Sequence, residues 1–182
     1  MTQCAILAER QSLSEVELKI KTRDALPRPS SDVVSEVERK IGRPLPSEYV
    51  ASLQTLNGAY FGPNEFSLPD GHKAGVTQFL PFNRVIQHMG YMEQTQVLGY
   101  LPIAHAEGGN YVCLSLCDGD FGRVYFWDHE VPGYDALSRI GNSLNEFLNS
   151  LRPFEIGDVF LDPARIKEVW VDPEFLKSLK KD

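Results

Sequence analysis

Apolar residues at helical spacing predict two helices in the first third of the chain. Between residues 33 and 41, valine and isoleucine recur every three or four positions, which is the period of a helix face that packs on a core. Gly42 can take the left-handed backbone that ends a helix, and Pro44 and Pro46 prevent the helix from continuing. The first helix is therefore expected to stop at a rigid proline elbow.

A second helix is predicted directly after the elbow. Ser47 is its expected N-cap, and Glu48 follows in the first turn, where a negative charge complements the helix dipole. Asn57-Gly58 is expected to close it. The apolar stripe of this helix consists of Tyr49, Val50, Leu53 and Leu56.

The second half of the chain alternates apolar and polar residues, which predicts an antiparallel sheet. Three short strands, 98–104, 111–116 and 124–127, are separated by turns rich in glycine and aspartate. Because successive side chains of a strand point to opposite faces, the second strand should carry different residues on its two faces. One face is expected to carry Val112, Leu114 and Leu116 and to pack on the helices, and the other carries Tyr111, Cys113 and Ser115.

The segment between the second helix and these strands is less regular. Residues 58–75 predict a loop with a short strand at 60–61 or 65–66, because glycine, proline, asparagine and aspartate are frequent there. A strand at 76–82 follows. Helical turns are expected over 83–90, with the glycine as their end.

A last helix is predicted near the C-terminus. Ser143 and Glu146 form a capping-box pattern, apolar residues follow at helical spacing up to Leu151, and Pro153 ends the helix.

The pattern divides the chain into a domain at 32–153, an accessory N-terminal segment and linker at 1–31, and a C-terminal extension at 154–182 that we expect to pack on the domain. Residues 1–22 fit either a short strand or a loose helix. The extension predicts a strand at 158–161 and a short helix at 174–179.

Composition describes one soluble globular domain, with 42% hydrophobic and 10% aromatic residues in 182 positions. No apolar run approaches the roughly 20 residues that span a bilayer, and the first ten residues lack the pattern of a signal peptide. Three cysteines, Cys4, Cys113 and Cys117, are an odd number without metal-ligand spacing. These features predict a cytoplasmic protein without membrane contact, whose cysteines are small buried hydrophobes.

The net charge of -7 is concentrated in one region. Between Leu101 and Ser138 there are six acids and a single base, Arg123, a local balance of -5. A nucleic-acid binder needs a basic face, so direct binding of DNA or RNA is disfavoured. An acidic face suits a basic protein partner instead.

Two groups of residues invite a catalytic or metal-binding interpretation. They are Asp128-His129-Glu130, and His105 with Glu107. Adjacent strand residues point to opposite faces, so the first group converges only if its strand has ended. A metal site needs three ligands or more, and no motif of a hydrolase, nucleotide-binding loop or metalloprotease is present. We expect no catalytic residue, no cofactor and no metal ligand, and assign His72 to a loop and His88 to a helix surface.

Five pieces of sequence, in their order along the chain, resemble the SUKH superfamily, the Smi/Knr-type domain of fungal cell-wall regulators and bacterial immunity proteins. The resemblance covers about residues 32–151. The pieces are Ile-Gly-x-Pro-Leu-Pro-x-Glu-Tyr at 41–49, Leu-x-x-Leu-Asn-Gly at 53–58, Leu-Pro-Ile-Ala at 101–104 before Gly108-Gly109-Asn110, Gly-x-Val-Tyr-x-Trp-Asp-His at 122–129, and Ser-x-x-Glu-Phe-Leu at 143–148.

The resemblance implies a single α+β domain, with N-terminal helices and a later helix packed on an antiparallel-rich sheet. It also implies a non-enzymatic protein that binds and neutralises a secreted polymorphic toxin, often a nuclease or deaminase. A regulatory or scaffold module, as in the fungal relatives, is the alternative. A small hydrolase would require His105 or His129 to meet a carboxylate.

Family members use diverse binding surfaces, so the resemblance transfers no contact residue by position. Charge and aromatic content alone select the candidate surface, in which Trp127 or Tyr134 would be the aromatic anchor. The candidates are Glu107, Asp118, Asp120, Trp127, Asp128, Glu130, Tyr134 and Asp135.

Overall fold

The structure, a computed structural model, describes residues 20–154. The predictions for residues 1–19, for the strand at 158–161 and for the helix at 174–179 lie outside these residues, as does the packing of the C-terminal extension. The boundaries of the three-part division stay a prediction. Within the described part, Ile20 is 4% exposed and belongs to the main core.

The described residues form four helices and ten strands. The helices are α1 (Ser31–Ile41), α2 (Ser47–Leu56), α3 (Val85–Gln94) and α4 (Leu144–Ser150). The strands are β1 (Thr22–Arg23), β2 (Tyr60–Phe61), β3 (Asn64–Ser67), β4 (Lys73–Ala74), β5 (Val76–Phe79), β6 (Tyr100–Ala106), β7 (Tyr111–Ser115), β8 (Val124–Trp127), β9 (Leu137–Gly141) and β10 (Arg152–Pro153).

Seven strands form one antiparallel sheet in the order β1-β2-β5-β6-β7-β8-β9. The three short strands β10-β3-β4 form a second sheet. The α+β class and the antiparallel sheet are confirmed. Both alternatives for a short strand in the loop after α2 occur, as β2 and β3.

The predicted end of α1 at Gly42 and the predicted start of α4 at Ser143 are both confirmed. Gly42 has a φ of 80°, and its N–H donates to the Glu38 carbonyl at the end of α1. The Ser143 hydroxyl accepts from the Glu146 N–H at 3.2 Å, which caps α4. The Glu146 carboxylate accepts from the Asn142 side chain and N–H, one residue before the expected position.

The prediction that Ser47 caps α2 is wrong. The chain turns into the helix at Pro46, so Ser47 is already the first helical residue and its hydroxyl makes no cap bond. Glu48 instead ties this helix to α4, because its carboxylate accepts from the Asn145 N–H at 3.1 Å.

One face of the large sheet packs on α1, α2 and α4 and forms the main core. Tyr49 and Leu53 of α2 are fully buried there, and the Tyr49 ring lies 6.0 Å from Phe79 and 6.2 Å from Phe82. From β7 and the residue after it, Val112, Leu114 and Leu116 contribute to this core. Their predicted common face is therefore confirmed.

The opposite face is buried too, under α3 and the segment that leads to β9. Tyr111 and Cys113 of β7 pack there with Met92 of α3, Trp127 and Ala136. Every residue of β7 is buried. Cys113 is a buried small hydrophobe as predicted, whereas Cys117 is half-buried.

The prediction that Gly90 ends the third helix is wrong. The helix continues to Gln94 and closes at Thr95, whose N–H donates to the Met92 carbonyl, before Gln96 turns the chain with a φ of 66°. The predicted strand at 76–82 ends at Phe79. No helix within residues 20–154 is long and apolar enough to cross a membrane.

Candidate protein-binding surface

The connection between β8 and β9, residues 128–136, folds back over the α3 face of the sheet. Val131 and Ala136 pack into the buried cluster on that face. The Asp128 N–H donates to the Ala136 carbonyl at 2.9 Å and closes the base of the loop. At its far side, the Tyr134 hydroxyl accepts from the Leu98 N–H at 3.3 Å. We call residues 128–136 the β8–β9 loop.

The β8–β9 loop carries three acids and no lysine or arginine. Glu130 and Asp135 are exposed, and Asp128 is half-buried because its carboxylate accepts from the Glu130 N–H at 2.9 Å. Tyr134 is 55% exposed. Four of the eight predicted surface residues therefore lie on a single well-held loop.

Glu107 reaches the same edge from the β6–β7 connection. Its backbone N–H donates to the Gly75 carbonyl at 3.0 Å. Asn110, at the end of this connection, accepts from the His129 N–H at 3.1 Å and lies 2.9 Å from the His129 ring nitrogen Nδ1. This clamp joins the β6–β7 connection, which carries the exposed Glu107, to the loop that carries the exposed Glu130.

Asp118 and Asp120 lie at the opposite ends of the strands, in the β7–β8 connection. Asp118 is 96% exposed and forms an ion pair with Arg43 at 3.0 Å. Asp120 accepts from the Ser115 hydroxyl at 2.5 Å and from the Tyr125 hydroxyl at 2.6 Å. The structure thus gives Asp118 a basic partner and Asp120 a role in holding its own turn.

Three tyrosines connect Asp120 with the β8–β9 loop. The Tyr100 ring packs edge-on against Tyr125 at 5.2 Å and lies 6.4 Å from Tyr134. Burial raises the pKa of Tyr100 to about 12, and the charge of Asp120 adds to this shift. The Tyr100 hydroxyl therefore stays protonated at neutral pH. Tyr134 is the exposed end of the group.

Trp127 does not lie on this surface. The prediction that it could be an aromatic anchor is therefore corrected. Its side chain is 4% exposed, and its ring stacks on Tyr111 at 5.4 Å with 10° between the planes. The alternation of apolar and polar residues predicted that Trp127 lies on a strand. It did not predict which face of that strand other elements of the fold would cover. The Trp127 ring supports the β8–β9 loop from below.

A pair of histidines next to Tyr111 was not predicted as a unit. The His88 nitrogen Nδ1 lies 2.8 Å from the Tyr111 hydroxyl, and the His105 ring lies 5.2 Å from both His88 and Tyr111. Burial lowers the pKa of both imidazoles, and the charges of His105 and Arg84 lower that of His88 further. The sequence signal was weak because His88 lies on α3 and His105 on β6.

The two groups considered for catalysis do not assemble. The His129 ring contacts Asn110 rather than Asp128 or Glu130, and His105 packs on His88 and Tyr111 rather than on Glu107. Within residues 20–154, no group of three or more His, Cys, Asp or Glu side chains is arranged to hold a metal ion. His72 does meet a carboxylate, that of Asp70, but both lie in an exposed turn.

Two surface concavities of about 260 and 330 Å³ lie away from these residues. The first lies between β9 and the β3–β4 turn and is lined by Leu68, Arg139 and Glu146. The second lies between α1 and α2 and is lined by Arg28, Val34 and Val50. Neither is lined by a histidine or by a predicted surface residue, so neither of these two concavities provides a small-ligand site at the candidate surface.

Comparison with known proteins gives two findings. A family model described as the SMI1/KNR4 family (SUKH-1) matches residues 28–150. The SPbeta prophage-derived uncharacterized protein YokK of Bacillus subtilis (strain 168) is 29% identical over 168 residues, which cover 77% of this chain and 86% of that relative.

Proposed function

Because the chain belongs to the SMI1/KNR4 family (SUKH-1), we propose that it is a non-enzymatic immunity protein that binds and neutralises a cognate secreted toxin. The toxin would be of the nuclease or deaminase class, and the binding would take place in the cytoplasm of the protected cell. The prophage origin of one relative supports this proposal, since toxin and immunity genes can be inherited together on such an element.

The observation that carries the proposal is the β8–β9 loop. It presents the exposed acids Glu130 and Asp135 and carries no lysine or arginine of its own. Between these acids along the chain lies the exposed Tyr134. Its base is fixed by the Asn110 clamp on His129 and by the stacked pair below it. A loop held in one conformation loses little entropy on binding, and a tyrosine within an acidic rim is a common arrangement of a protein interface.

The charge of the loop suits the proposed partner. A toxin that acts on nucleic acid needs a positive surface around its active site to bind phosphates. An acidic loop can cover that surface and exclude the substrate. Opposite charges would also accelerate association, and this acceleration would weaken as salt is added.

The test uses the C-terminal domain of a large secreted protein, to be found by searching the genes next to this one. Glu107, Glu130 and Asp135 are changed together to lysine, and the association rate is measured at low and at physiological salt. We expect the association rate to fall by about tenfold or more and to lose most of its salt dependence. Protection of cells that express the toxin should fall with it.

The matched control changes three exposed acids elsewhere, Asp32, Glu36 and Asp70, to lysine, which alters the net charge by the same amount. This variant should bind and protect nearly as well as the parent. Equal losses in both variants would mean that overall charge, not this surface, drives binding. Unchanged protection by the first variant would remove the surface from the proposal.

The regulatory or scaffold module is the second candidate, since family membership suits it equally. This second candidate gains support if no secreted protein with a variable C-terminal domain is encoded nearby and no toxin purifies with the chain.

A further inference from the structure

Three side chains join α3 to the sheet directly below the β8–β9 loop. His88 projects from α3 to the Tyr111 hydroxyl on β7, and His105 on β6 packs edge-on against His88 at 82° between the rings. Both imidazoles are half-buried. We call His88, His105 and Tyr111 the α3 latch.

Among residues 20–154, the charged and titratable groups around the α3 latch bring no negative charge into direct contact with it. Tyr91 of α3 packs edge-on against His88, and Arg84, just before α3, adds a positive charge. On β5, the cross-strand neighbour of His105 is the uncharged Gln78. The carboxylate of Glu107 lies against Gly75 instead, 2.9 Å from where a Cβ of that glycine would be.

Protonation of the pair would therefore be opposed by its surroundings. Two imidazolium rings at 5.2 Å would repel each other, and Arg84 would repel His88 as well. A protonated His88 can only donate at Nδ1, so the Tyr111 hydroxyl, 2.8 Å away, could then only accept from it. The neutral forms are the ones that fit the packing of α3 on the sheet.

The α3 latch is continuous with the support of the β8–β9 loop. Tyr111 stacks on Trp127, the residue before this loop, and directly follows Asn110, which clamps His129. A shift of Tyr111 would move both supports at once.

We propose that the α3 latch is an acid-sensitive switch, and that protonation of His88 or His105 loosens α3 and releases the β8–β9 loop from its fixed conformation. The switch itself is a property of the free protein. Its consequence, faster dissociation of a bound toxin in acid, rests on the proposed function.

The test follows the full chain between pH 8 and 5. The other tryptophan, Trp170, is replaced by phenylalanine so that fluorescence reports Trp127 alone, and the histidine rings are titrated by NMR in the parent chain. We expect His88 and His105 to titrate below pH 6.5, the ordinary imidazole value, and the Trp127 emission to change over the same range.

Glutamine variants assign the change to the α3 latch. H88Q and H105Q should each remove the emission change, whereas H72Q, in the exposed β3–β4 turn, should keep it. H129Q should also keep it, which excludes direct quenching of Trp127 by the ring 6.5 Å away. The NMR titration needs no variant, so it decides the matter even if a substituted chain unfolds.

Titration of both rings at 6.5 or above without a change at Trp127 would overturn the switch. An emission change that survives in both H88Q and H105Q would overturn it as well. A toxin that does not bind at pH 7.5 would count against the proposed function and leave the switch standing. A toxin whose dissociation rate is the same at pH 7.5 and 5.5, while Trp127 responds, would overturn the link between the switch and binding.

Discussion

Two serines at helix starts differ in what their hydroxyls do. Ser143 accepts from the Glu146 N–H, whereas Ser47 is the first residue of α2 and makes no cap bond. We expect S143A to lower the free energy of unfolding by about 1 kcal/mol, because an N–H at the start of α4 loses its partner. S47A should change it by less than about 0.5 kcal/mol. Urea unfolding followed by circular dichroism compares the two, and equal losses would contradict the assignment.

Substitutions of Trp127 and of Tyr134 should have different effects on the stability of the protein and on its binding of a toxin. W127F removes part of a buried stacked ring that supports the β8–β9 loop. We expect it to lower the free energy of unfolding by about 1–3 kcal/mol and to weaken toxin binding less than Y134A does. Y134A should do the reverse, with little effect on unfolding and at least about fivefold weaker binding. Calorimetric titration and urea unfolding of each variant give the comparison. Weakened binding by W127F alone would restore Trp127 as the anchor.

At the scale of the element, two glycines in helices have opposite roles. Gly42 ends α1 with a φ of 80°, where an alanine would be strained, so G42A should cost about 1 kcal/mol. Gly90 lies inside α3, and a Cβ there would meet no atom within 4 Å. G90A should therefore stabilise by about 0.5–1 kcal/mol. Thermal unfolding measures the change in stability of both variants. A destabilising effect of G90A would contradict the continuous helix.

The same two glycines show which helix ends can be predicted from the local sequence. Periodicity and the left-handed cap predicted α1 correctly, since both signals are local. Gly90 was predicted to be a second helix end, but packing of Met92 under the sheet carries α3 onward. The strand β9 was not predicted, because its pairing with β8 is a tertiary contact.

The candidate surface stays a prediction, but the structure distinguishes among its acids. Charge counting along the chain found the acids but treated them as equal. Asp118 meets Arg43, and Asp120 meets two hydroxyls. The Asp118 pair joins residues far apart in the sequence, and no local pattern indicates it. The histidine pair was missed because its members come from two different elements.

At the scale of the whole molecule, stability should depend on pH through His88 and His105. Burial lowers the pKa of both in the folded protein, while unfolded histidines titrate near 6.5. Below pH 6.5 the unfolded chain therefore binds more protons than the folded one, and the free energy of unfolding falls as the pH falls. It levels off once the folded protein is protonated as well.

Urea midpoints between pH 7.5 and 5 measure this dependence. The midpoint should decrease over the range in the parent and change less in H88Q/H105Q. His72 contributes the opposite sign, because the Asp70 carboxylate raises its pKa, but both side chains are exposed and solvent screens the effect. A flat profile in the parent would contradict the assigned shifts.

The β8–β9 loop begins and ends at neighbours, since Trp127 pairs with Leu137 across the two strands. A segment whose ends meet can be exchanged for one of another length or composition without redirecting either strand. Related chains could thus diversify by grafting this hairpin tip while keeping the framework unchanged. Recognition would then evolve faster than architecture, and a chimaera that carries a foreign tip should still fold.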